Sequence, residues 1–219
     1  MIESATGVIL RTRPLTETSL IVLWLTPEFG RISTVAKGAR HPKSPFAGKL
    51  DLFYLADFSF SRSRRSELHV LREVSLRETH SALRNELGLL QHASYCAALV
   101  QQTTETDTPL PAVYELMRGL LAHLVQHPPQ PQTIFAFELK LLKELGLSPD
   151  LAERKLSAGT KRLLAELDKM DWSILSRLKL SVAQTHELQQ FLHGFLIYHL
   201  DRIPGGRSAA LAGDLPETR

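Results

Sequence analysis

Between Phe29 and Leu50 the chain carries five cations, Arg31, Lys37, Arg40, Lys43 and Lys49, and no carboxylate. The densest part, Lys37-Gly38-Ala39-Arg40-His41-Pro42-Lys43-Ser44-Pro45, separates three of them with small residues and prolines. Cations spaced this way on a loop can follow a row of phosphates, and backbone amides around Gly38 can add donors. On charge alone an ordinary solvated loop reads the same way. A second knot, Arg62, Arg64 and Arg65, follows closely. Phe29, Phe46, Phe53, Tyr54, Phe58 and Phe60 lie among these cations. Most are core candidates. Phe46 and Phe53 are expected to be exposed and free to stack on a base, Phe53 because it points away from the Leu50/Leu52/Tyr54 stripe.

Other chemistries find little here. No GxxxxGK[ST] loop, GxGxxG turn or GxSxG elbow occurs. Among nine histidines, His123 and His127 can share a helical face, but no HExxH glutamate accompanies them, so exposed or capping roles are expected. The single cysteine, Cys96, sits among Ala93, Ala97 and Leu99 and reads as a small core residue rather than a nucleophile. One cysteine also excludes an intramolecular disulfide and any zinc site needing two thiolates, and points to the cytoplasm. No secretory signal is expected, since Glu3 interrupts the N-terminus, and the longest apolar run, Leu20–Leu25, is far too short to span a membrane. Enzymatic function is not expected.

The elements that must position the basic loop follow from periodicity. Gly7–Arg13, Leu20–Leu25, Arg31–Ala36, Leu50–Ser61 and Glu67–Leu76 read as strands, with Thr26-Pro27-Glu28-Phe29-Gly30 as a turn and Gly30 free to take positive φ. Five strands in under 80 residues suggest a small closed barrel, with the five-stranded OB-fold as the natural candidate. From Thr79 the period becomes helical. Leu83, Leu87 and Leu90 begin a helix running to about Gln102, Pro111 to about Gln126 forms a second, and Phe135–Leu145 a third. Residues 148–180 look helical but interrupted, and Ser181-Val182-Ala183-Gln184 resembles a capping box opening a last helix. The class is therefore α+β: an OB-fold over residues 1–78, a helical domain over 79–204, and a tail, 205–219, expected to fray. Net charge sharpens this division. Residues 1–78 hold 12 Lys and Arg against 8 Asp and Glu, whereas 79–219 hold 14 against 15. The positive balance belongs to the barrel.

The chain resembles the RecO family of bacterial recombination mediators. The resemblance is carried by Gly7-Val8-Ile9-Leu10-Arg11-Thr12-Arg13, Glu17-Thr18-Ser19-Leu20, Thr26-Pro27-Glu28-Phe29-Gly30 and above all Ala36-Lys37-Gly38-Ala39-Arg40 with Lys43-Ser44. It continues more loosely through Leu139–Leu151 to Tyr198-His199-Leu200. The family implies an OB-fold followed by a helical domain. It also implies binding of single- and double-stranded DNA, annealing of complementary strands, and loading of RecA onto strands coated by single-strand-binding protein. The implied partners are RecR, RecF and single-strand-binding protein, with RecA reached indirectly, at the bacterial nucleoid. Lys37, Arg40 and Lys43 would contact phosphates, with Arg31 and Lys49 flanking. Many members carry a four-cysteine zinc motif after the LGLSPDL-like segment. Here Asp150–Thr160 reads DLAERKLSAGT, so no zinc or other cofactor is expected, and Leu151, Leu156, Leu163, Leu164 and Leu167 are available to hold the helices instead. The competing class is an OB-fold adaptor whose barrel binds protein rather than DNA. Separately, the helical domain is expected to provide a docking groove for protein partners.

Overall fold

The computed structural model describes residues 1–150 and 156–212. Contacts divide the chain into two compact units: Met1–Ser81 with Thr104–Arg118, and Ala82–Thr103 with Gly119–Arg219.

The first unit is a closed barrel in the order β1-β2-β3-β5-β4. Its strands are β1 (Ile2–Pro14), β2 (Leu20–Thr26), β3 (Gly30–Ala36), β4 (Leu55–Ser61) and β5 (Leu68–Glu78). One long strand makes closure possible. The first half of β1 pairs antiparallel with β4, its second half with β2, and an irregularity between Ile9 and Arg11 bends it between the two partners. The alternation in β4 buries Ala56, Phe58 and Phe60 while the residues between them stay partly exposed. Trp24 fills the centre, stacked on Phe58 at 4.0 Å, and its indole N–H donates to Thr34 Oγ1 at 2.9 Å. That bond satisfies a donor that would otherwise be buried unpaired, at a penalty of about 1–3 kcal/mol. β3 and β5 run parallel and pair only over Ser33–Val35, so the barrel has one short seam.

Two aromatic expectations are corrected. Leu50–Ser61 is not one strand, because pairing begins only at Leu55. Ahead of it, Phe53 adopts φ +66 and is 1% exposed, its N–H donating to Ile9 O at 2.8 Å. Two-residue alternation fails there because the chain is turning, and the turn rotates the ring inward. Phe46 is buried as well and joins the barrel core, since the loop that carries it folds back over the barrel. Neither ring is available to stack on a base.

The second unit is helical: α1 (Leu87–Thr103), α2 (Pro111–Gln126, which enters it at Gly119), α3 (Pro131–Glu144), α4 (Ala158–Leu167), α5 (Trp172–Leu175), α6 (Val182–Leu200) and α7 (Arg207–Leu211). A helix buried on every side belongs at the centre of a bundle. Accordingly α3, buried without interruption from Gln132 to Leu139, touches α1, α4, α6 and α7. Ser181 and Gln184 form the expected capping box at the start of α6. Leu164 and Leu167 are buried, and Leu156 and Leu163 half-buried, while Leu151 falls outside the described residues. The stretch expected to fray from residue 205 instead forms α7, with Arg207, Ala210 and Leu211 buried. Its anchor is polar: Arg207 donates to Glu138 Oε1 at 2.6 Å and Oε2 at 2.9 Å, and the Tyr95 hydroxyl donates to Glu138 Oε1 at 2.5 Å. Composition alone gave no hint of that bond. Residues 213–219 lie outside the described residues.

Candidate nucleic-acid interface

The basic loop leaves β3 at Ala36 and is built from consecutive tight turns. Backbone N–H groups of Ala39, His41, Ser44, Ala47 and Lys49 each donate to the carbonyl three residues back. Turns of this kind suit the Gly, Ser and Pro content of the segment. Three contacts pin the loop. Arg40 N–H donates to Thr18 O at 3.0 Å, and an Arg40 guanidinium nitrogen donates to Thr16 O at 3.2 Å, tying it to the β1–β2 turn. At the far side Phe46 inserts into the barrel core. Lys37, Arg40 and Lys43 remain exposed on this frame, and no ion pair holds any of them among the described residues. Lys49 is half-buried and lines a groove of about 650 Å³ with Arg72, Phe58, Ser4 and Thr6, beside the carboxylates of Glu28, Asp57 and Glu73.

The remaining cations divide into two groups. Arg64 and Arg65, in the β4–β5 connection, are exposed. Arg31 and Arg62 are committed elsewhere. Arg31 is half-buried and donates to Thr104 Oγ1 at 2.7 Å and to the Thr104 carbonyl. Burial lowers its pKa, opposed by Glu67. Arg62 donates to Glu3 Oε1 at 2.9 Å and to Asp107 Oδ1 at 2.8 Å, and these carboxylates, Glu3 first, raise its pKa. The structure therefore groups Lys37, Arg40 and Lys43 on one loop and does not bring Arg31 or Arg62 to it. Three further exposed cations lie outside the set singled out from the sequence. Arg11 and Arg13 are exposed on β1, where Arg13 stands opposite Ile21 and Ile21 opposite Val35, near the end of β3 from which the loop departs. Their two-residue spacing within a strand was the available signal. Arg72, exposed on β5, donates to Ser61 Oγ at 2.8 Å.

The histidines also depart from expectation. His69, His80, His92 and His123 are buried rather than exposed. His80 contacts Phe53 O at 2.7 Å, and His92 contacts the Gly88 and Gln130 carbonyls, so backbone polar groups account for two of the four. Cys96 is buried in α1, and burial pushes its thiol pKa up, away from a reactive thiolate. With one cysteine, the donors of this chain do not fit the four-thiolate zinc motif that the resemblance implies for many members. Among the described residues no three of His, Cys, Asp and Glu are grouped as metal ligands, and residues 151–155 of the Asp150–Thr160 segment lie outside them.

Comparison with known proteins adds the lineage of this arrangement. Residues 1–80 match the family described as "Recombination protein O N terminal", and residues 84–154 match "Recombination protein O C terminal". The chain belongs to the RecO family. Similar RecO proteins include the DNA repair protein RecO of Anaeromyxobacter sp. (strain K), 36% identical over 146 residues, covering 67% of this chain and 58% of that protein. The DNA repair protein RecO of Exiguobacterium sibiricum is 31% identical over 151 residues, 69% of this chain and 60% of its own length. That of Bacillus subtilis is 31% identical over 151 residues, with 69% and 58% covered. The chain thus spans about three fifths of the length of the curated RecO relatives it matches. The N-terminal RecO match ends at residue 80, two residues after β5, so it takes in every strand of the barrel. Among the described residues no helix is long and apolar enough to cross a membrane.

Proposed function

We propose that this chain acts in DNA repair as a non-enzymatic mediator whose barrel holds the DNA backbone. The observation that carries this reading is the exposed set Lys37, Arg40 and Lys43, held by no ion pair among the described residues, on a loop pinned at both sides. A pinned loop presents its charges with little backbone-ordering penalty on binding. Phosphate contacts carry no sequence information, so single and double strands are both substrates. Neutralising phosphates lowers repulsion between strands, and annealing of complementary strands follows with no catalytic group. Loading of RecA onto strands coated by single-strand-binding protein, together with RecR and RecF, extends this role in the bacterial nucleoid. The helical unit is then the docking part for partner proteins, a role in keeping with the exposed Ile197 and Tyr198 on α6.

The test is fluorescence anisotropy with a labelled oligonucleotide over a salt series. Four contacts, from Lys37, Arg40, Lys43 and Lys49, give a slope of log K against log salt of about −2.8 on a single strand. Replacing Lys37, Arg40 and Lys43 together by Glu should abolish binding at moderate salt. A slope near zero, or full affinity in that triple variant, overturns the reading and favours a barrel that binds protein.

A further inference from the structure

The strap joining α1 to α2 docks on the barrel, where Arg31 and Arg62 are committed. Thr106 forms a parallel bridge with Arg31, and Asp107 N–H donates to Arg31 O at 2.9 Å. The Arg31 side chain turns back to Thr104, so backbone and side chain grip the same strap. Space has been made for it. Gly30 has φ +64, and a Cβ there would stand 1.9 Å from Thr108 O. Because β5 pairs with β3 only from Ser33, the strap occupies the end of β3 that β5 leaves unpaired.

The docked strap delivers one charged side chain to the barrel. Asp107, at φ +52, accepts from Arg62 Nη1 at 2.8 Å and stands 3.8 Å from His69 Nε2. His69 is 2% exposed, and that nitrogen has no hydrogen-bond partner among the described residues. Arg62 also lies over the rings of Phe29 and Phe60, 5.2 and 5.8 Å from their centroids, with its Nε on Glu3. A guanidinium nitrogen and a buried imidazole nitrogen aimed at one anionic oxygen form an anion site, and a phosphodiester oxygen meets the same donors as a carboxylate. We propose that Asp107 occupies a phosphate subsite built from Arg62 and His69, so that the strap competes with a nucleic-acid phosphate for the barrel. Exchange of Asp107 for a phosphodiester conserves the local charge, one anion replacing another beside Glu3. The inference rests on the DNA-binding reading above.

Asp107→Asn tests it, since Asn keeps the hydrogen-bonding shape and tolerates positive φ. Glu105→Gln is the control: it removes the same charge from the same strap at an exposed position with no ion pair among the described residues. By anisotropy, Asp107→Asn should bind the oligonucleotide at least about fivefold more tightly than wild type, at the low end of coupling between sites. Its salt slope should be steeper by about 0.7, one added phosphate contact. Adding Arg62→Ala should cancel the gain. Equal affinity and slope in Asp107→Asn and Glu105→Gln overturn the inference while leaving the loop reading intact. Wild type with no salt-dependent binding removes the reading itself. A second measurement needs no variant: amide exchange at Asp107 in the wild-type chain should speed up on saturation with oligonucleotide, and unchanged or slower exchange overturns the proposal.

Discussion

Acid should unfold the helical unit early because of one side chain. His123 is 4% exposed, stacked on His127 at 4.5 Å and near Trp172 at 5.5 Å, and neither of its ring nitrogens has a hydrogen-bond partner among the described residues. Burial first, then the neighbouring His127 and His92, lowers its pKa from 6.5 to about 4. The folded state therefore binds the proton less well than the unfolded state. The resulting stabilisation is fully present above pH 6.5 and is lost as pH falls toward 4. At about 1.4 kcal/mol per pH unit, the loss approaches 3 kcal/mol by pH 4. Domains of this size have only about 5–15 kcal/mol in total. Urea unfolding at pH 7.5 and pH 4.5 measures the difference. The chain has two tryptophans, Trp24 in the barrel and Trp172 beside His123, so fluorescence in a Trp24→Phe background reports the helical unit. The same pair of titrations in His123→Leu should show a pH dependence shallower by about 2 kcal/mol. Burial also lowers the pKa values of His69 and His92, and both titrate in either protein. Identical pH dependence with and without His123 would refute the reasoning.

Two further outcomes follow from buried groups. Glu138→Gln leaves Arg207 as an uncompensated buried charge, and should lower stability by about 3 kcal/mol or more, with amide protection in α7 lost first. Cys96 should resist a thiol reagent such as DTNB in the native chain and react at once in denaturant, and rapid native labelling would contradict its burial and raised pKa.

The barrel was legible in the sequence wherever a strand is straight. The Ala56/Phe58/Phe60 face carries its period in the residue types, Leu20–Leu25 is legible as a continuous apolar run and Arg31–Ala36 as its hairpin partner, and the structure pairs all three as strands. Legibility stopped where the backbone leaves the regular dihedral regions. At Phe53 a positive φ turns a ring inward that alternation would turn outward. The loop cations were legible as a cluster, because the acid-free interval is a property of the chain itself. That Arg31 and Arg62 stand apart from them was not, because their partners Thr104 and Asp107 lie 73 and 45 residues away. The same holds for α7, whose burial depends on a Glu138–Arg207 pair separated by 69 residues. Pattern reading reports what a residue prefers locally, whereas these partners are chosen by topology.

The barrel unit is discontinuous: Thr104–Arg118 completes it after Ala82–Thr103, which belongs to the helical unit. On the ribosome this imposes an order of events. All five strands have been made by Glu78, yet the end of β3 stays uncovered until Thr106 and Asp107 emerge, with α1 already synthesised in between. An open strand edge is a template for pairing with another chain. During vectorial synthesis the nascent barrel is thus exposed to intermolecular pairing for the time needed to add about 28 residues, roughly one to six seconds at ordinary elongation rates. The strap that closes the fold is among the last parts of its unit to arrive.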